Sequence, residues 1–301
     1  MKTPYHEGEL TVQARAGVQG MASRVGRSIA NEMDSSFQAF LAQQTLLVIA
    51  SSDQRSNQVW ASVFTGDLGI IEAKDAHTIT VRVDPALDDP IRETLMVGAR
   101  IGLLAIDLAV RHRVRVNGEI ADVHENSFTV TVHEAYGNCT KYIQKRQVEI
   151  VNRTLPNAEV VLGDSLSPAQ RDLIANADTF FIGSTQPDFS ADASHRGGQA
   201  GFVKVINQNR LEIPDYAGNT MFNTLGNIQA TGRAGLVFLD FASGCTLQLT
   251  GRAEIVWDET RFFAHPGAER LIEFTIEAVA QRPAITGKRW NLQQPSPHNP
   301  R

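Results

Sequence analysis

The sequence predicts a mainly β protein of the α+β type, with two tandem barrel lobes, each led by a helix, packed as a pseudo-dimer. Two observations carry this. The first is an internal repeat: Ala61-Ser62, Gly66 and Gly69 match Ala193-Ser194, Gly198 and Gly201 at a separation of 132 residues. Ile79 and Val81 meet Leu211 and Ile213 at the same separation. One residue further in register, the stretch Arg100 to Asp107 meets Arg233 to Asp240, and Gly118 meets Gly251. A register held so long implies one structural unit built twice. The second observation is a succession of short β-branched strands separated by turn residues, the pattern of a small closed or nearly closed barrel. Two like units tend to pack about a pseudo-twofold axis, and their seam is a natural ligand site.

Taken in order, residues 1–32 are polar and weakly periodic, fit for a loose arm or a short helix around Val18 to Ala30. Asp34-Ser35-Ser36 caps a helix with Phe37, Phe40 and Leu41 on one face. It ends near Thr45, and Leu46 to Ala50 reads as a strand buried on both faces. The second unit repeats this with the Ser167-Pro168 cap, Leu173 and Ile174, and the strand Phe180 to Gly183. Further strands are expected at Ile79–Val83, Ile101–Ile106, Val114–Asn117 and Phe128–His133. The second set is Phe202–Ile206, Arg210–Ile213, Gly235–Asp240, Thr246–Leu249 and Leu271–Val279. Domain boundaries follow: an arm over 1–32, a first lobe over 33–154, a second over 155–292 and a disordered tail over 293–301. Leu155 to Ser165 is the connection, with Val160 to Leu162 able to pair as an edge strand.

At 301 residues the chain can bury a large core, removing roughly three quarters of its unfolded surface from water. A net charge of −5 favours neither nucleic acid nor an anionic membrane as partner. No apolar run approaches a membrane span, and no secretory leader is evident, so a cytoplasmic location is expected. Two cysteines, Cys139 and Cys245, are consistent with a reducing compartment. The histidines and cysteines show no zinc-ligand spacing, and Cys139 has no base at a recognised spacing that would make it a nucleophile.

The copies diverge where function should lie. Ser194-His195-Arg196-Gly197-Gly198, read as a strand opening, stands opposite Ser62, Val63, Phe64, Thr65 and Gly66, so His195 and Arg196 have no counterparts. Asp215 to Thr224, followed by Asn227, stands opposite the stretch around Asp88-Asp89-Pro90. Its Asn219, Asn223, Thr224 and Asn227 offer donors to a phosphate, especially if Thr220 to Asn227 opens a helix, and Arg196 could add a bidentate grip. Turns use the same residue types; what favours a site is that all of them sit in one copy. The first copy contributes Tyr136-Gly137-Asn138-Cys139-Thr140-Lys141-Tyr142-Ile143, where cations beside aromatics suit a flat anionic ligand.

These segments, with Asp192 to Gly198, Pro214 to Asn219 and Phe222-Asn223, resemble the pyridoxamine-phosphate oxidase-like, FMN-binding split-barrel flavoproteins, in the long bacterial form with two barrel lobes. The resemblance covers roughly residues 30–290 and is poorly specific for a reaction. It implies FMN at the seam, with Ser194 to Gly198 facing the ring and ribityl chain. It further implies the phosphate near Asn219 to Asn227 and the Gly137–Ile143 segment closing over the cofactor. Arg282, Lys288, Arg289 and Trp290 are further candidates for that closure. Phe222, Asn223 and Thr224 replace the family's usual Ser/Arg/Lys cluster, which leaves Arg196, Lys141 or Arg233 as phosphate partners and argues against true pyridoxamine-phosphate oxidase activity.

The functional expectation is therefore an FMN-dependent oxidoreductase with one principal flavin site, His195 and Tyr216 being the candidate proton-handling residues. Its partner would be a small-molecule redox substrate or a partner reductase, and it could form a homodimer. Two alternatives stand: a haem-binding or haem-degrading barrel with His195 or His133 as axial ligand, and a cofactor-free interaction module.

Overall fold

The computed structural model describes residues 3–83, 88–151 and 159–300. The chain begins with two short helices: α2 (Gln19–Val25) lies within the stretch Val18 to Ala30 expected to be helical, and α1 (Glu7–Arg15) precedes it as an element not anticipated. The local signal is a capping box: the His6 ring accepts from the Gly8 amide, and the Glu9 carboxylate accepts from the His6 amide at 2.9 Å. Helix α3 (Ser35–Ala42) starts where expected, the Asp34 carboxylate accepting from the Phe37 amide at 2.8 Å.

The first sheet contains β1 (Leu46–Asp53), β2 (Gln58–Thr65), β3 (Ile71–Ala73), β4 (Thr78–Val81), β5 (Arg100–Asp107), β6 (His112–His124) and β7 (Ser127–Gly137). Then come β8 (Lys145–Ile150), the edge strand β9 (Val161–Gly163) and α4 (Pro168–Asn176), which carries the Ser167/Gln170 capping box. The second sheet is built from β10 (Thr179–Thr185), β11 (Ala191–Gly197), β12 (Lys204–Asn207), β13 (Arg210–Tyr216), β14 (Arg233–Leu239), β15 (Thr246–Val256) and β16 (Ala268–Arg282). Helix α5 (Asn223–Thr231) precedes β14, and β17 (Lys288–Gln294) ends the chain's regular structure.

The first sheet runs β2-β1-β5-β6-β7-β4-β3; the second runs β11-β10-β14-β15-β16-β13-β12, with β9 added against β16. Strand for strand the two orders are the same, and each path ends without a ladder between its outer strands. The boundary expected between residues 154 and 155 lies outside the described residues. The segment from residue 293 does not follow the expectation of disorder. Strand β17 pairs with β8 from the first unit, and residues beyond it are held by side-chain hydrogen bonds.

Each sheet wraps its own apolar core, one around Leu47, Ile49, Phe128 and Val130, the other around Phe180, Ile182, Phe238 and Phe274. A third cluster fills the seam between the sheets, with Val48, Ala50, Ala61 and Leu104 from one unit and Phe181, Ala193, Val237 and Leu239 from the other. Strand β11 crosses β5 and β6, and reciprocally β2 crosses β14 and β15. A Cβ at Gly102 would lie 2.7 Å from the Asp192 Cα, and one at Gly235 would lie 2.4 Å from the Val59 carbonyl oxygen. Only glycine admits so close a backbone approach. The two glycines are repeat equivalents, so the seam is two-sided: a first crossing at β11/β6 and a second at β2/β15.

Candidate functional site

On β6 of the first unit, Val114 and Val116 point into the core while Arg113 and Arg115 share the opposite face, as strand alternation requires. That face meets β11. Arg115 donates to the Asp192 carboxylate at 2.8 Å, to the Ser194 hydroxyl, and to the Tyr136 hydroxyl at 3.2 Å. Arg196, at the end of β11 rather than at a strand opening, pairs with Asp215 at 3.3 Å. Asp215 also faces Arg270 at 3.0 Å. Arg113 donates to the Cys139 carbonyl at 2.9 Å and has no carboxylate partner among the described residues. Burial and the neighbouring Arg115 push its pKa down to about 10.

Of these groups Arg113, Arg115, Ser194 and Arg196 line a cavity of about 70 Å³, room for a few waters or one small anion. Nine residues expected from the sequence come together on its wall: Ser194, His195, Arg196, Gly197, Tyr216, Asn219, Asn138, Lys141 and Tyr142. Arg113, Arg115, Cys139, Phe202, Pro214 and Gly218 complete it and had not been anticipated as cofactor ligands. The Asn219 side-chain amide donates to the Asn138 side-chain Oδ1 at 2.7 Å, tying the units across the cavity. Tyr142 packs on Tyr216 with ring centroids 5.3 Å apart and donates to the Ala217 carbonyl at 3.0 Å. A Cβ at Gly197 would meet the Tyr142 carbonyl oxygen at 2.1 Å, so a glycine is needed for the segment to lie on β11.

The rim is clasped by Gln144, which is fully buried. Its amide nitrogen donates to the Gly198 carbonyl at 3.0 Å, and its oxygen accepts from the Ser296 amide at 2.8 Å and from Asn299 at 3.1 Å. Ser296 in turn accepts from the Tyr142 amide at 3.1 Å. One side chain thus joins the cavity rim, the second unit and the chain's end.

Several buried polar atoms around the cavity have no hydrogen-bond partner among the described residues: Arg113 Nε, Arg196 Nε, Asn138 Nδ2 and both ring nitrogens of His195. His195 is held well below the usual imidazole range by burial and by Arg113, Arg196, Arg146 and Arg115, so its ring is neutral. Burial pushes the Tyr216 phenol up to about 12, so it remains a donor and does not serve as a base near neutrality. The donor set is complementary to a small anion such as a phosphate ester, with an aromatic pair beside it. The volume fits the anionic part of a flavin. A tricyclic ring needs more space than the cavity offers while Tyr142 packs on Tyr216 at its wall.

Four expected ligands lie elsewhere. Asn223 donates to the Glu9 carboxylate at 2.6 Å; Asn227 bonds the His6 ring at 2.9 Å and donates to Ser184 at 2.9 Å. Phe222 lies under the Arg270 guanidinium at 4.7 Å, and Thr224 is buried in the first turn of α5. The N-terminal helix explains this placement: α1 packs on α5 so closely that a Cβ at Gly8 would lie 2.2 Å from the Gly226 carbonyl oxygen. That contact uses the side chains expected to hold phosphate. The other carried-over cations are engaged too, Arg233 with Glu277 at 2.6 Å and Arg282 with Asp89 at 2.6 Å. Trp290 packs edge-on to Phe241, Lys288 donates to the Gly66 carbonyl, and Arg289 is exposed on β17. His133 is exposed and bonds Arg100 at 2.8 Å, away from the cavity.

Residues 166–289 match the sequence model of a family described as pyridoxamine 5'-phosphate oxidase, so the resemblance read from the sequence holds over the second unit. No curated protein matches the chain. Among solved structures it is similar to a Lactobacillus delbrueckii protein provisionally named pyridoxamine 5'-phosphate oxidase, at 18% identity over 38% of this chain and 93% of that one, TM-score 0.33. It is also similar to HupZ of Group A Streptococcus, at 13% identity over 37% and 90%, TM-score 0.32. A third is an FMN-binding protein of Syntrophomonas wolfei, at 12% identity over 36% and 82%, TM-score 0.28.

Proposed function

We propose, from a second unit that matches the pyridoxamine 5'-phosphate oxidase family and a cationic cavity at its seam, that the chain binds FMN there and serves as a cytoplasmic oxidoreductase. The observation that carries the reading is the excess of buried guanidinium over carboxylate. Arg113, Arg115 and the half-buried Arg196 line the cavity with only Asp192 and Asp215 as carboxylate partners among the described residues, and Asp215 is shared with Arg270, which also pairs with Glu269. Donors on Arg113 and Arg196 are left unpaired. A buried cation without a partner is costly, and an anionic ligand removes that cost.

Bound there, a flavin would supply hydride and electron transfer at its ring. The protein's share is binding and orientation. Arg113, Arg196 and Lys141 balance the phosphate charge, while Ser194 and Asn138 offer further polar contacts. His195 donates through one neutral ring nitrogen, and Tyr216 holds its phenolic proton as a fixed donor. Entry of the ring requires Tyr142 to swing away from Tyr216. The electron donor and acceptor would be a small-molecule redox substrate or a partner reductase. A haem reading draws on one observation, the neutral and unpartnered His195 ring, and is opposed by the arginines crowded against it, which disfavour a metal cation.

The test is titration of the purified protein with FMN, followed by flavin fluorescence and the visible spectrum, alongside mass spectrometry of any small molecule released on denaturation. Saturable quenching that is lost in Arg113→Ala and retained in Asn223→Ala supports the reading. No quenching, or an intense Soret band from the purified protein, overturns it.

A further inference from the structure

The two seams correspond residue by residue, and their difference points to a second site that has been filled from within. On the ladders, Arg115 pairs with Tyr136 and Gln248 pairs with Ala280, which makes Arg115 and Gln248 equivalent, and places Arg282 where the first seam has Asn138. Ser62 is the repeat partner of Ser194. Asp89 and Asn219 each lie on the connection between the fourth and fifth strands of their own unit.

In the first seam these residues form two separate pairs, Arg115 with Ser194 and Asn219 with Asn138, and the cavity lies between them. In the second seam a single carboxylate bridges both. Asp89 accepts from the Ser62 hydroxyl at 2.5 Å, the Gln248 amide at 3.1 Å and the Ile91 backbone amide at 2.9 Å with one oxygen. It accepts from Arg282 at 2.6 Å with the other. All four side chains are buried. Gln248 also donates to Ser62 and to the Ala61 carbonyl, so the contacts close into one network.

We propose that the second seam is an anion site whose anion is supplied by the chain itself, the Asp89 carboxylate standing where a bound carboxylate or phosphate group would otherwise sit. The chain therefore takes up one external ligand, at the first seam. That count rests on the reading of the first seam given above; the role of Asp89 does not. Removing the carboxylate while keeping Ser62, Gln248, Arg282 and the Ile91 amide recreates a vacant anion site, because those donors are then buried without partners.

The experiment is thermal denaturation of Asp89→Ala with sodium formate, compared with sodium chloride at equal ionic strength. The expected result is a lowered Tm for the variant, which formate raises saturably and chloride does not, by clearly more than the gain that formate gives wild type through the first seam. The effect should disappear in Asp89→Ala/Arg282→Met, which lacks the guanidinium. Should Asp89→Ala not fold in plain buffer, refolding yield with and without formate supplies the same readout. The control is Asp89→Asn, whose amide still fills the gap and should show no formate dependence beyond that of wild type. Asp89→Ala showing no formate dependence beyond that of wild type by either readout overturns the proposal. None of these measurements involves a flavin, so failure of the first-seam reading would leave them intact, and the converse also holds.

Discussion

The first seam and the second share a backbone frame and differ in how their buried polar groups are satisfied. At the second, Asp89 and Arg282 neutralise one another inside a closed network. At the first, Asp192 and Asp215 are the carboxylates paired with Arg115 and Arg196, and donors on Arg113, Arg196, Asn138 and His195 face a cavity without partners among the described residues. Internal satisfaction stabilises the fold and removes a place for a ligand; withholding it does the reverse. A duplicated protein can thus carry a structural and a functional version of one arrangement, in keeping with the tension between stability and activity.

The sharpest way to break this comparison is Arg282→Met, which strands the Asp89 carboxylate in the interior. Removing one partner of a buried pair costs about 3–5 kcal/mol, read as a lower denaturation midpoint, while affinity at the first seam should not change. Arg113→Met should do the opposite. Its guanidinium has no carboxylate and is repelled by Arg115 and Arg196, so the unliganded variant should be at least as stable as wild type. Phosphate or FMN affinity should fall, since a charge-assisted hydrogen bond contributes about 1.5–3 kcal/mol, or roughly 10- to 150-fold.

A subtler test concerns protons. An anion beside His195 favours its charged form, so its depressed pKa rises on binding; at neutral pH the ring stays neutral, and proton uptake with a gain in affinity should appear only as pH falls below the ordinary imidazole range. Calorimetry in buffers of different ionisation enthalpy should detect this uptake, and His195→Gln should abolish it. Outside both seams, burial raises the Glu9 carboxyl from 4.5 to about 8. The native state then holds a proton that the unfolded chain releases, so the contribution of Glu9 to stability is full below pH 4.5 and declines as pH rises towards 8. Glu9→Gln should flatten that decline and be the more stable protein at pH 8. The smallest effect is expected from Asn223→Ala, which loosens α1 by about 1 kcal/mol and leaves ligand affinity unchanged.

Much of this was legible in the sequence because the repeat supplied an internal alignment. The equivalence of Gly102 with Gly235 and of Ser62 with Ser194 could be read directly, and so could the absence of any first-unit counterpart to His195 and Arg196. Arg113 and Arg115 went unread as ligands because alternating charges on a strand usually mark a wet face. The available signal was their replacement by Thr246 and Gln248, since two cations lost together in one copy suggest a local need for charge in the other. Asn223 and Asn227 were misplaced because their partners, Glu9 and His6, lie more than two hundred residues away, and no local pattern announces such a contact. The end of the chain misled for a related reason. A Pro- and Asn-rich composition speaks for disorder, whereas the ladder of β17 with β8 and the bonds to Gln144 depend on tertiary placement.

The Gln144 clasp has a practical consequence. Because Ser296 and Asn299 reach the same buried amide that steadies Tyr142, anything fused to the carboxyl end pulls on the mouth of the pocket rather than on a free tether. An affinity tag placed there would report on an altered entrance, and recombinant protein for ligand work should carry its tag at the other end or have it cleaved.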